Sequence, residues 1–82
     1  MLSRDEVYRR LARYLTDMFE VPEEKIRPEA RLYEELDLDS IDALDLVVKL
    51  QEITGRRISP QEFKTVRTVG DVVDRVTALL HA

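Results

Sequence analysis

Ser40 is the residue of this chain best placed to take part in chemistry, because Asp39 precedes it and a helix-forming run follows it. As a nucleophile acting alone it has no partner. The only histidine is His81, near the other end of the sequence, and Lys49 lies about two to three turns further along the same run. With no cysteine, thiol nucleophiles, thiolate metal sites and disulfides are excluded. There is no glycine-rich phosphate loop. Asp39, Asp42 and Asp45 supply carboxylates, but on a helix they spread around the wheel and do not converge on a metal ion. The chain is therefore expected to be neither an enzyme nor a metal site. What remains for Ser40 is the role of acceptor for a group added by another protein. A hydroxyl at a helix start is exposed, and a phosphate on it would lie near free backbone N–H groups. An Asp-Ser pair alone is weak evidence, since such pairs cap helices widely.

The element that must position Ser40 is the run that follows it. Asp39 reads as its N-cap, Asp42 adds negative charge at the positive end of the helix dipole, and Gly55 is the expected stop, so a helix is predicted from about Ser40 to Thr54. At about 100° per residue, Ala43, Leu46, Val47, Leu50 and Ile53 share one broad arc suited to a core. Ile41, Leu44 and Val48 cluster on the opposite side, with Asp45 and Glu52 beside them and Asp42 flanking. Either another helix covers this second cluster, or it is an apolar patch with a charged rim, the mark of a docking surface.

Charge follows the same division. The chain carries a formal net charge of −4, yet the segment from Glu34 to Glu52 alone sums to −6 and the remainder to +2. A charge run is ordinarily a solvated face, but its coincidence with the second apolar cluster favours docking of basic partners. The same field repels nucleic acid and anionic membranes, so neither is an expected partner. At 44% hydrophobic and 37% charged, the 82 residues are expected to fold as a single domain, residues 1–82, with a small core. No run is long enough to span a membrane and no signal peptide is visible, so the expected compartment is the cytoplasm and the expected state a monomer.

The rest of the chain reads as scaffold. Ser3 with Glu6 fits a capping box, and Val7, Leu11, Tyr14, Leu15 and Met18 follow at helical spacing, with Phe19 extending the stripe and Pro22 ending the helix region. Arg4, Arg9, Arg10 and Arg13 give this helix a basic exposed side, too sparse and too poor in aromatics for nucleic acid. From Glu20 to Leu38 runs a long connection, anchored by Ile26, Leu32, Leu36 and Leu38, with a short turn of helix at Tyr33. Ser59 as cap, Pro60 at the first helical position and Glu62 as the box partner mark a short third helix, with Ile58 and Phe63 spaced as a hydrophobic staple. Thr68 opens the last helix, in which Val69, Val72, Val73, Val76, Leu79 and Leu80 form the stripe and Gly70 costs little. No repeat, low-complexity segment or convincing strand pattern occurs. The expected fold is all-α, a four-helix bundle of three longer helices and one short third helix, with a long first loop.

Taken whole, Leu36-x-Leu38-Asp39-Ser40-Ile41-Asp42-x-Leu44-Asp45-Leu46-Val47 resembles the attachment motif of acyl carrier proteins, and the resemblance runs from about Val7 to Leu80. It implies that Ser40 receives 4′-phosphopantetheine from coenzyme A through a phosphopantetheinyl transferase, and that the arm's thiol holds acyl groups as thioesters. It implies further that Asp39 lies next to the transferase's magnesium site. Ile41, Asp42, Leu44, Asp45, Val48 and Glu52 would form the face read by basic patches on ketosynthase, reductase, dehydratase or acyltransferase enzymes. Two features depart from the family pattern. Asp37 stands where many members have glycine, and aspartate tolerates unusual backbone angles better than most residues. The first helix carries more arginine than strongly acidic fatty-acid carriers show. The second departure points to a dedicated stand-alone carrier in a fatty-acid-type or polyketide-type pathway, such as aryl-polyene synthesis. The alternatives are an amino-acid carrier, peptidyl or D-alanyl, and a helical interaction domain without cofactor.

Overall fold

In the computed structural model, three α-helices pack around one apolar interior: α1 (Arg4–Phe19), α2 (Ser40–Thr54) and α3 (Val69–Leu80). The structure describes residues 3–63 and 65–81, without the side chains of Pro60 and Glu62. Each helix starts where its sequence says it should. The Ser3 hydroxyl accepts from the Glu6 N–H at 3.2 Å. In α2 and α3 the reciprocal box is complete, Asp39 with Asp42 and Thr68 with Asp71. The expected reach of Glu62 back to its own cap lies outside the described side chains.

The helix ends are less regular. Gly55 closes α2 with φ 66°, the left-handed conformation that only glycine adopts freely. α1 stops at Phe19, before Pro22 can act, because Glu20 itself turns left-handed at φ 57°. Its N–H and that of Val21 return to the Leu15 and Thr16 carbonyls, and Val21 is thereby turned into the core. The expected short third helix is a single 3₁₀ turn, Pro60–Phe63. A second 3₁₀ turn, Glu23–Lys25, falls in the long loop, and Tyr33 lies in a hydrogen-bonded turn.

Val7, Leu11 and Leu15 from α1 meet Leu46, Val47 and Leu50 from α2 and Val69, Val72, Val73 and Val76 from α3, all buried. α1 packs chiefly on α3. The loop adds Val21, Ile26, Ala30, Leu32, Leu36 and Leu38 to the same core, and Ile58, Phe63 and Val66 close it from the other side. An isolated antiparallel bridge, Arg31 with Thr68, ties the loop to the start of α3. There Gly70 donates to the Pro28 carbonyl at 2.7 Å, and a Cβ at Gly70 would stand 2.9 Å from that same oxygen. Gly70 is thus required by a close backbone approach and is not merely tolerated.

Candidate functional site

Two leucines and a left-handed turn deliver Ser40 to the surface. Leu36 and Leu38 are both buried, and between them Asp37 takes φ 57° with its own side chain exposed. Asp39 then leaves in extended conformation (φ −110°, ψ −176°) and caps α2. Its carboxylate accepts from the Asp42 N–H at 2.9 Å, while the Asp42 carboxylate accepts from the Asp39 N–H at 3.2 Å. The cap is therefore made by Asp39. Ser40, the first residue of a 15-residue helix, is exposed.

The α2 wheel is divided as its sequence predicts. Leu46, Val47 and Leu50 are buried, with Ala43 and Ile53 half-buried. Ile41, Leu44 and Val48 remain 68%, 49% and 57% exposed, so no other helix covers them. Such an arrangement brings nothing to the isolated fold, because apolar area left in water contributes no burial. The acids near this face differ in their commitments. Asp42 is tied into the cap, and Glu52 sits 3.3 Å from Lys49, whose Nζ also lies 5.6 Å from the centre of the Tyr14 ring. Asp45 is exposed and enters no ion pair among the described residues. An exposed pair such as Lys49–Glu52 contributes at most about 1 kcal/mol, so a partner's base can displace it.

Three residues beside this face had not been assigned a place in it by their sequence pattern. Gln51 accepts from the Ile58 N–H through its side-chain oxygen at 2.7 Å, pinning the segment after Gly55 against α2. Ile58 is buried there, and Arg57 is exposed next to it. Together with Leu44, Val47 and Val48 they line a groove of about 620 Å³. Neither a glutamine in a helix nor an isoleucine before a cap signature reveals such a groove by spacing.

The site is thus that of a helical module which exposes one serine at a helix start beside an uncovered apolar stripe, and residues 9–76 match the family described as "Phosphopantetheine attachment site". The chain is 53% identical over 81 residues to Acyl carrier protein 2 of Ralstonia nicotianae, covering 99% of this chain and 100% of that protein. It is 32% identical to the acyl carrier protein of Coprothermobacter proteolyticus, over 98% of each. Among solved structures, acyl carrier protein from Enterococcus faecalis superposes with a TM-score of 0.77 at 25% identity, covering 94% of this chain and 98% of that one. The chain belongs to the acyl carrier protein family. It is a carrier and not a catalyst, and the group it bears is covalent 4′-phosphopantetheine. An exposed hydroxyl at the positive end of α2 fits the phosphodiester of that group. Among the described residues no helix is long and apolar enough to cross a membrane, and no cluster of acids or histidine could hold a metal ion.

Proposed function

We propose that Ser40 is the attachment residue and that α2 is the handle by which a phosphopantetheinyl transferase and the acyl-processing enzymes grip the carrier. The observation that supports this reading is the exposure of Ser40 together with Ile41, Leu44 and Val48 on one helix. When bound, the cofactor supplies a terminal thiol on which acyl groups are held as thioesters, chemistry that a chain without cysteine cannot offer by itself. The chain's own contribution is placement. Asp39 orients the start of the helix and leaves the hydroxyl free of the capping task, and, as the family resemblance implies, its carboxylate would lie next to the transferase's magnesium site. The first turn of α2 stabilises the phosphate. Asp45, with Glu52 and Asp42 nearby, draws basic patches on ketosynthase, reductase, dehydratase or acyltransferase partners, and the apolar residues complete the contact.

The cargo is acyl, and the pathway is of fatty-acid or polyketide type, with aryl-polyene synthesis as one instance, in the cytoplasm and with the carrier as a monomer. The basic outer side of α1 (Arg9, Arg10 and Arg13, all exposed) supports a dedicated carrier over a general one. Coexpression with a promiscuous transferase followed by intact-mass measurement tests the attachment residue. The wild type is expected to gain one phosphopantetheine and Ser40→Ala none. A wild type that stays unmodified, or a modified Ser40→Ala, refutes it. Loading by an amino-acid adenylating enzyme would instead favour the peptidyl or D-alanyl alternative.

A further inference from the structure

The groove beside α2 has a charge pattern that its helix alone does not. Its floor is Val47 and Ile58, its walls are the exposed Leu44 and Val48, and Arg57 stands at its rim. Among the described residues Arg57 enters no ion pair, whereas Lys49 is engaged by Glu52. Among the described residues, then, an unpaired base, Arg57, lines the groove, and an acid without an ion pair, Asp45, follows its wall residue Leu44 on α2. On the helix axis Asp45 and Gln51, which shares the groove lining with Arg57 and holds the next residue, Ile58, are separated by about 9 Å, since each residue rises about 1.5 Å.

From this, and resting on the docking role proposed for α2, we infer that the carrier selects partners whose docking segment is of mixed charge: a base facing Asp45, an apolar side chain filling the groove, and an acid facing Arg57. A partner surface that is basic throughout would set a like charge against Arg57. Opposite charges correctly placed contribute modestly to affinity, but juxtaposed like charges exclude wrong partners, so Arg57 acts chiefly on specificity. On a helical partner the spacing corresponds to a base and an acid about two turns apart, with the apolar anchor between them.

Two conformationally locked helical peptides test this. Both carry Lys at the first position and Leu at the fourth; at the eighth, one has Glu and the other Lys. Each is titrated into isotopically labelled holo-carrier, into Ser40→Ala and into Arg57→Glu, with amide shifts reporting site and affinity. Wild type and Ser40→Ala are expected to bind the Lys/Glu peptide roughly two- to fivefold more tightly than the Lys/Lys peptide, with shifts centred on Leu44, Val48 and Ile58. Arg57→Glu is expected to reverse the order while its melting temperature stays near wild type, because Arg57 is exposed. Equal affinities, an order unchanged in Arg57→Glu, shifts outside the groove, or no binding by either peptide overturns the inference. A failed modification of Ser40 with the charge preference intact would count against the attachment site and not against the groove.

Discussion

Truncating Ile41 to alanine should separate docking from folding. Ile41 is 68% exposed, so about two-thirds of its apolar surface remains to be covered by a partner. Full burial of an isoleucine is worth about 1.5–3 kcal/mol, and two-thirds of that is about 1–2 kcal/mol, a five- to thirtyfold loss in docking affinity. The third already buried contributes about 0.5–1 kcal/mol to the fold. Alanine returns a few tenths of a kcal/mol through its higher helix propensity. The net stability loss is about 0.2–0.7 kcal/mol, or a melting shift of about 1–5 °C in a domain of this size. Leu50, fully buried in the same helix, is the contrasting case: its truncation should cost about 2–5 kcal/mol. The assays are denaturant melts of both variants and the rate of modification by a phosphopantetheinyl transferase at subsaturating carrier. Ile41→Ala should melt within about 5 °C of wild type, far above Leu50→Ala, and be modified several-fold more slowly. If it melts as early as Leu50→Ala, or is modified at the wild-type rate, the division of α2 into a core face and a partner face is wrong.

Three further outcomes follow from the backbone and the caps. Asp37 at φ 57° should accept glycine with a net change near zero, because relief of strain offsets the greater freedom of the unfolded chain. Asp37→Val, β-branched in a left-handed turn, should lose about 1–2 kcal/mol in a urea melt. Gly70→Ala should destabilise by about 1–2 kcal/mol despite alanine's helix propensity, since its Cβ would crowd the Pro28 carbonyl and disturb the hydrogen bond there; a higher melting temperature would disprove the close approach. The Asp71 carboxyl is held below its ordinary value by the N–H groups of Arg67 and then of Thr68, which it accepts at 3.0 and 3.1 Å. A lowered folded-state value means stabilisation that is present above about pH 4 and lost as pH falls through the folded value. Asp71→Asn should therefore melt below wild type at pH 7, and the gap should narrow toward pH 3.

Much of the carrier was legible before any coordinates. Local chemistry wrote the start of α2 at Asp39, its end at Gly55, the cap at Thr68 and the two faces of the α2 wheel, because caps and helical periodicity act between residues a few positions apart. Ser40 stood out for the same reason, and the motif around it was enough to identify the family. Other features needed the folded chain. Nothing in Glu20 announces a left-handed helix stop, and the proline after it offered a false cause. The anchors Val21 and Ala30 lie in a loop with no period to read. Gly70 looked incidental until Pro28 was packed on it, and the groove exists because Gln51 holds Ile58 and Arg57 is carried alongside. These are encounters between residues distant in sequence or held by irregular backbone. Which surface is left open between two elements is set by how they pack, so the hydroxyl and its helix were written in the sequence while the charged groove beside them was decided only by the tertiary structure.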